Sequence, residues 1–335
     1  MSTVTARRVL IVAYDDVQIL DVACPSGALD AATRLGAAPP YAVELAAAGG
    51  GTVRTSAGIV LGSGRLAAVT GTLDTLMVVG GVGTRRAATD SGLLEQVRRL
   101  AGRSRRTVGI CTGAYILAAA GLLDDRRVTT HWGFGDDLAA HYPAVAVDTT
   151  ALYIRDGHIY TSGGATAALD LTLSLIEDDH GPTLARSVAR ELVTYLHRPA
   201  DQAQISMFLA APPPADRLVR DLTGYIAGHL REDLTPAALA GRAGVSTRHL
   251  TRLFSAYLGT TPAEAVRAAR TEAAAHLIRG TGLPLAAIAR RCGFGSAQTL
   301  RQALLDRYGM SGDTMRKQTD IPLSTRGDAD DTAVS

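Results

Sequence analysis

The segment Ile288-Ala289-Arg290-Arg291-Cys292-Gly293-Phe294 has an earlier counterpart in this 335-residue chain, Leu239-Ala240-Gly241-Arg242-Ala243-Gly244-Val245. Each copy continues into a serine, then into residues with apolar side chains at spacings of three and four, and then into a glycine. Serine commonly begins a helix, and glycine commonly ends one. The repeated order of short helix, glycine turn and second helix predicts two helix-turn-helix motifs, at about 236–258 and 285–308.

The second helix of such a motif enters the major groove of DNA. Its apolar positions, Leu250 and Phe254 in the first motif and Leu300 and Leu304 in the second, are expected to face the core. The opposite face then carries the predicted DNA contacts, which are Thr247, Arg248, Thr251, Arg252, Gln298, Arg301 and Gln302. Arg side chains match guanine and Gln side chains match adenine. A connecting helix over 262–278 would hold the two recognition helices about 34 Å apart, one turn of DNA.

Positive charge is concentrated in the same region. Residues 216–318 carry a formal charge of +7, whereas residues 1–215 carry −2 and residues 319–335 carry −3. A basic excess confined to one small domain favours a polyanionic partner. The segment 197–215 contains Pro199 and the run Pro212-Pro213-Pro214, which predicts a linker. The polar, acidic residues 319–335 predict a disordered tail.

Residues 216–318 resemble the DNA-binding domain of the AraC family of bacterial transcription regulators. The resemblance is carried by Ile288–Phe294 and by Arg270, Ala274 and Leu277 in the connecting helix. It implies a sequence-specific regulator that binds double-stranded promoter DNA, with RNA polymerase as a further partner. The chain departs from the family where leucines stand at 300 and 304 in place of aromatic residues, and where Gly312 stands in place of a proline. Gly312 is expected to loosen the last helix.

The first half of the chain alternates strand-like and helix-like segments. Apolar, β-branched runs at Val9–Tyr14, Thr75–Val79 and Thr107–Ile110 predict buried parallel strands. Helices are predicted over 26–35, 93–101 and 115–122, and a hairpin is predicted around Asp156-Gly157. This alternation predicts an α/β domain over residues 1–196, flavodoxin-like, with a mostly parallel sheet and helices on both faces.

Cys111 follows one predicted strand and precedes a helix, so we expect it on a tight turn at the carboxyl edge of the sheet. The helix N-terminus is expected to lower the pKa of its thiol. Gly80 and Gly81 end another strand, and their backbone N–H groups are expected to form an oxyanion hole.

Residues 7–195 resemble the DJ-1/PfpI superfamily, whose domains are class I glutamine amidotransferase-like. The matching residues include Cys111-Thr112-Gly113, Thr130-His131-Trp132 and Thr161-Ser162-Gly163-Gly164. Isonitrile hydratases of this superfamily use a Cys nucleophile and an Asp acid/base, which map onto Cys111 and Asp21. The resemblance implies a ligand site or a vestigial catalytic site formed by Cys111, Asp21, Gly80, Gly81, Thr112 and His131. Regulators that join this domain to an AraC-type domain form a known class.

Three interpretations of the first domain stay open. It dimerises and senses a small-molecule effector near Cys111, or it is a cysteine-dependent hydratase or amidase, or it is a dimerisation scaffold without a ligand. Single residues also have alternatives. Asp21 could instead cap a helix that begins near Ser26, His131 could be purely structural, and Cys24 could form a redox pair with Cys111.

The sequence contains neither a signal-peptide pattern nor an apolar run long enough to span a membrane. Its three cysteines have no metal-ligand or disulfide spacing. We therefore expect a cytoplasmic, nucleoid-associated protein that needs no metal or cofactor. The family resemblance and the usual need for two DNA half-sites imply a homodimer or a higher homo-oligomer.

Overall fold

The computed structural model describes residues 5–194, 198, 200, 204, 216–280 and 282–320. The chain divides after Gln204 into an N-terminal and a C-terminal unit. Within the predicted linker over 197–215, Arg198, Ala200 and Gln204 belong to the N-terminal unit. Residues 205–215 and most of the predicted disordered tail, 321–335, lie outside the described residues.

A mixed, mostly parallel sheet forms the centre of the N-terminal unit. Its strands are β1 (Arg7–Val12), β2 (Tyr41–Ala47), β3 (Gly51–Arg54), β4 (Val60–Arg65), β5 (Leu73–Val78), β6 (Ser104–Ile110), β9 (Tyr153–Asp156) and β10 (Ile159–Ser162). They lie in the order β3-β4-β2-β1-β5-β6-β10-β9. The β3–β4 and β9–β10 pairs are antiparallel, and the other neighbours are parallel. A separate parallel pair joins β7 (Arg127–Val128) to β8 (Ala146–Val147).

Helices cover both faces of this sheet. Val9 and Ile11 of β1 pack into one core with residues of α1 (Ile19–Arg34), α6 (Thr166–His180) and α7 (Pro182–Glu191). Leu10 and Val12 pack into the opposite core with residues of α3 (Ser91–Ala101) and α4 (Gly113–Ala119). The unit also contains two short helices, α2 (Thr84–Ala87) and α5 (Gly135–His141), and 3₁₀ turns at Leu66–Ala68 and Trp132–Phe134. The predicted fold class is confirmed.

Two differences from the sequence prediction affect the site. Helix α1 begins at Ile19 and contains Pro25, whereas the prediction placed its start after that proline. Asp21 therefore lies inside the first turn, and the side chain of Gln18 caps the helix by accepting from the N–H of Leu20 at 3.4 Å. Helix α4 begins at Gly113, two residues before the predicted start, so it follows Cys111 almost directly.

The described residues of the C-terminal unit form helices joined by turns, without strands. Its helices are α8 (Arg217–Gly228), α9 (Pro236–Arg242), α10 (Thr247–Leu258), α11 (Pro262–Gly280), α12 (Leu285–Arg291), α13 (Ala297–Tyr308) and α14 (Gly312–Asp320). Two separate cores form around the two motifs. Leu250 and Phe254 are buried in the first, and Leu300 and Leu304 in the second. Helix α11 contributes to both cores, which confirms the predicted pair of helix-turn-helix motifs.

The helix ends in both motifs match the sequence signals. Ser246 accepts from the N–H of His249 at 3.2 Å, and Ser296 accepts from the N–H of Thr299 at 3.1 Å. Gly259 and Gly309 end the recognition helices in the left-handed conformation. The last helix is present despite Gly312: it begins at that residue and buries Met315 completely.

Candidate functional site

Four loops meet at one edge of the sheet in the N-terminal unit. Strands β1, β5, β6 and β10 are adjacent and parallel, so their carboxyl ends lie side by side, where ligands of open α/β sheets bind. The residues that follow them are Tyr14, Gly80 and Gly81, Cys111, and Gly163 and Gly164. The topology therefore brings Cys111 next to the glycines of two neighbouring loops.

Cys111 occupies a strained turn. Its φ is 56°, in the left-handed region that non-glycine residues rarely adopt, and its N–H donates to the carbonyl of Ser162 at 2.9 Å. The surrounding glycines leave no room for side chains. A Cβ on Gly113 would lie 2.1 Å from the carbonyl oxygen of Val78, and a Cβ on Gly164 would lie 2.6 Å from the Cys111 sulfur. The predicted strand-to-helix elbow is thus present.

Asp21 is fully buried beside this turn. One carboxylate oxygen accepts from the N–H of Gly80 at 3.1 Å, and the other accepts from the N–H of Ala165 at 2.7 Å. The carboxyl group is also close enough to the Cys111 thiol to affect the pKa of that thiol. Asp21 therefore joins α1 to the loops after β5 and β10 by hydrogen bonds. It does not cap a helix that begins near Ser26, which was the alternative for this residue.

The electrostatics of the elbow differ from the sequence expectation. Burial, followed by the nearby carboxylate of Asp21, raises the pKa of the Cys111 thiol to about 12. Burial likewise raises the pKa of Asp21 above its usual range. The predicted lowering of the thiol pKa by the helix N-terminus is wrong. At neutral pH Cys111 is a protonated thiol, which is a poor nucleophile.

The predicted oxyanion hole is already filled by internal acceptors. The N–H of Gly80 is paired with Asp21, and the N–H of Gly81 donates to the Thr112 hydroxyl at 3.0 Å. Thr112 in turn lies 2.7 Å from the Thr84 hydroxyl, which lies 2.7 Å from the hydroxyl of Tyr14. This chain of hydroxyls fixes the loop after β5. Neither glycine N–H is free to stabilise an oxyanion on a substrate, which corrects the prediction.

Among the described residues, the contacts of His131 are with its neighbours in sequence. Its Nδ1 accepts from the N–H of Gly133 at 3.2 Å, and burial lowers its pKa. Its ring contacts the rings of Trp132 and Phe134. These contacts fit the structural alternative for His131. In the described residues Cys24, Cys111 and Cys292 are all free thiols.

Gln204 is a site residue that the sequence did not indicate. Its Nε2 lies within hydrogen-bond distance of three oxygens: the hydroxyl of Thr129 (2.9 Å) and the carbonyls of Thr130 (2.8 Å) and Ala151 (3.0 Å). Its Oε1 accepts from the backbone N–H of Trp132 at 3.0 Å. Because three of these four partners are backbone groups, no pattern of side chains could have revealed them.

The predicted DNA contacts lie on the recognition helices of the C-terminal unit. Thr247, Arg248 and Arg252 of α10 are exposed, while Thr251 is half-buried and donates to the carbonyl of Thr247 at 2.9 Å. On α13, the side chains of Gln298, Arg301 and Gln302 are exposed. Gln302 donates to Asp306 at 2.7 Å, and Asp306 also pairs with Arg267 of α11. Gln302 is thus the one member of this set that is tied through Asp306 to the connecting helix.

Neither a metal-binding cluster of His, Cys, Asp and Glu nor a helix long and apolar enough to cross a membrane is found within the described residues.

Comparison with known proteins assigns each unit to a family. Residues 7–178 match the DJ-1/PfpI family, and residues 239–318 match a helix-turn-helix domain family. The HTH-type transcriptional regulator CdhR of Pseudomonas aeruginosa is 34% identical over 271 residues, which cover 81% of this chain and 80% of CdhR. The HTH-type transcriptional regulator GlxA of Rhizobium meliloti is 31% identical over 310 residues, covering 90% of this chain and 93% of GlxA.

An enzyme matches only part of the chain. An isonitrile hydratase of Pseudomonas putida is 36% identical over 121 residues, which cover 36% of this chain and 51% of the enzyme. The two regulators, in contrast, match across both units. The chain therefore belongs to the HTH-type transcriptional regulators that combine an N-terminal DJ-1/PfpI domain with a C-terminal AraC-type helix-turn-helix domain.

Proposed function

We propose that this protein reads two adjacent segments of promoter DNA, one with α10 and one with α13. The observation that carries this proposal is the duplicated motif. Two recognition helices with matching serine caps and glycine ends are joined by the single helix α11, and each exposes a polar face. The basic charge of residues 216–318 supports the same function, because it favours the DNA backbone.

Arg248 and Arg301 are the residues we assign to guanine recognition. Both side chains are exposed near the start of a recognition helix, where side chains reach base edges. Thr247, Thr251 and Arg252, with Gln298 and Gln302, flank them and contribute further base or phosphate contacts. The contact of Gln302 with Asp306 orients its carboxamide before DNA arrives.

Substitution of the two arginines tests this assignment. Arg248→Ala and Arg301→Ala should each weaken binding to the cognate duplex by about 1–3 kcal/mol, with relaxed preference at one base position. Binding is measured by fluorescence anisotropy on cognate and scrambled duplexes. Arg217→Ala is the matched control, because Arg217 is exposed but lies outside both motifs. Equal losses on both duplexes would show that the arginines contact phosphates only.

We further propose that the N-terminal unit dimerises and senses a small-molecule effector beside Cys111, without catalysis. The protonated thiol and the occupied N–H groups of Gly80 and Gly81 support sensing over turnover. Exposed apolar side chains adjacent in sequence to the site residues, at Leu20, Val82 and Trp132, offer a surface for an effector or a partner subunit. In this function the protein acts in the cytoplasm, on the nucleoid, and RNA polymerase is a further partner.

The hydratase or amidase alternative makes an opposite prediction. It requires turnover of an isonitrile or an amide that disappears in Cys111→Ala, measured by product formation with purified protein. The sensing proposal predicts no turnover in either protein.

A further inference from the structure

Beside the Cys111 turn, the side-chain carboxamide of Gln204 is surrounded by hydrogen-bond partners. The amide nitrogen of Gln204 faces three oxygens, and its amide oxygen faces one backbone N–H. All four distances lie between 2.8 and 3.0 Å. The Nε2 group has two hydrogens for three nearby oxygens, and Oε1 accepts one hydrogen bond, so these partners accommodate a primary amide.

The arrangement of donors and acceptors selects for an amide. A carboxylate would place an oxygen against the three oxygens around Nε2, which is repulsive. An ammonium group would satisfy those oxygens but would leave the N–H of Trp132 without an acceptor, and an unmade hydrogen bond of this kind is costly. A primary amide is the common group that satisfies both sides.

This amide pocket, formed by Thr129, Thr130, Trp132, Ala151 and Gly163, adjoins Cys111. A Cβ on Gly163 would lie 2.5 Å from the Gln204 amide oxygen, so the pocket exists because residue 163 has no side chain. The next residue, Gly164, makes the equivalent close approach to the Cys111 sulfur. Thr130 also bridges the two places, since its carbonyl accepts from Gln204 and its hydroxyl donates to the carbonyl of Cys111 at 2.9 Å.

Gln204 is also the last residue of the N-terminal unit. The chain before it is held at two further points. The carbonyl of Ala200 accepts from the N–H of Leu152 at 2.9 Å, and Arg198 pairs with the buried Asp170 at 2.7 Å. Among the described residues, Ala200 is the nearest anchor before Gln204 if Gln204 leaves the pocket.

We propose that the amide pocket binds the primary amide group of a small effector, and that Gln204 occupies the pocket as an internal competitor when no effector is bound. An effector that displaces Gln204 releases the last residue of the N-terminal unit from its four hydrogen-bond partners. This inference deepens the proposed effector sensing and rests on it for its regulatory consequence.

The chain's single tryptophan, Trp132, provides the measurement, because its backbone N–H is one wall of the pocket. Full-length protein is titrated with propionamide while Trp132 fluorescence is recorded. The variant Gln204→Ala removes the competitor, so propionamide should give a saturable change there. If Gln204 leaves the pocket open in about one wild-type molecule in ten, the wild-type protein should need about tenfold more propionamide for a half-maximal fluorescence change.

Two comparisons separate the proposal from a merely structural role of Gln204. Gly163→Ala should expel Gln204 and also fill the pocket, so this variant should resemble Gln204→Ala in losing hydrogen-exchange protection at the Trp132 N–H. Unlike Gln204→Ala, it should not respond to propionamide. Propionate and methylammonium should fail to reproduce the propionamide response in Gln204→Ala. Thermal melts establish that each variant is folded.

The proposal is overturned by no saturable response in Gln204→Ala, by an equal response to propionate or methylammonium, or by an unchanged response in Gly163→Ala. These titrations contain no DNA. Their failure therefore leaves two-helix DNA recognition standing, and a failure of DNA recognition leaves the titrations valid.

Discussion

At the scale of single residues, the elbow shows which physical effect controls Cys111. A helix N-terminus stabilises a nearby negative charge by about 0.3–1 kcal/mol, which is less than one pKa unit. Burial of the thiol and the adjacent carboxylate of Asp21 act in the opposite direction and are larger, so the pKa rises to about 12. The sequence revealed the turn, but it could not reveal how deeply the turn is buried.

This raised pKa makes stability depend on pH. The Cys111 thiol ordinarily ionises near pH 9.0, and in the folded protein it ionises near pH 12. Its contribution to folding is therefore fully present below pH 9 and is lost as the pH rises towards 12. In that range the free energy of unfolding falls by up to about 1.4 kcal/mol per pH unit. Cys111→Ala should remove this part of the alkaline decline.

Urea unfolding at pH 8 and at pH 10.5 measures the effect. The free energy of unfolding should fall between the two pH values by about 1–2 kcal/mol more in the wild type than in Cys111→Ala. The cavity that alanine leaves lowers both values for the variant and cancels in the difference. Equal declines in the two proteins would contradict a buried, protonated thiol.

At the scale of elements, the sequence predicts best where its periodicity is strong. The run over β1 was correctly predicted as a buried strand, because alternate residues enter cores on opposite faces. Both helix-turn-helix motifs were found because apolar spacing, serine caps and terminal glycines agree. Strands β3 and β4 were missed because they are largely exposed and rich in glycine, and the start of α1 was misplaced because Pro25 lies inside the helix.

The two motifs also differ in a way that substitution can expose. Gly244 and Gly293 occupy equivalent turns, with φ of 65° and 76°. A Cβ on Gly244 would meet nothing within 4 Å. A Cβ on Gly293 would lie 2.0 Å from the carbonyl oxygen of Leu230, which also accepts from Arg270 of α11 at 3.0 Å. Leu230 packs with the first motif, so this contact joins the two halves of the domain.

Gly293→Ala should therefore destabilise the protein more than Gly244→Ala. Both variants carry the backbone strain of a left-handed alanine, about 1 kcal/mol. Gly293→Ala must in addition separate two backbone segments, which should raise its total to about 3 kcal/mol or more. Urea unfolding of the full chain measures both. Equal destabilisation would mean that the contact between residue 293 and Leu230 adjusts without loss of stability.

At the scale of the whole molecule, the sequence identifies two units of opposite character, an acidic α/β unit and a basic helical one. It also places Cys111 and both recognition faces next to helix and strand signals, and the family resemblance points to Asp21; the roles of these residues stay predictions. Gln204 could not be predicted. It lies in a proline-rich segment without periodicity, and its hydrogen-bond partners come from two separate segments, Thr129–Trp132 and Ala151.

Dimerisation is a prediction at this scale. Two copies of the chain would double the DNA contacts and give the specificity that short half-sites lack. Sedimentation velocity of the full-length protein, with and without its cognate duplex, should show a dimer in at least one condition. A monomer in both conditions would remove the homodimer from the proposed function.

Helices α10 and α13 are both proposed to read base sequence. This proposal is tested by selection of full-length protein against a pool of random duplexes, followed by sequencing of the retained DNA. The enriched motif should contain two short blocks about one DNA turn apart. The Arg248→Ala variant should alter one block, and the Arg301→Ala variant should alter the other. Enrichment of a single block, or no enrichment at all, would contradict reading by two helices.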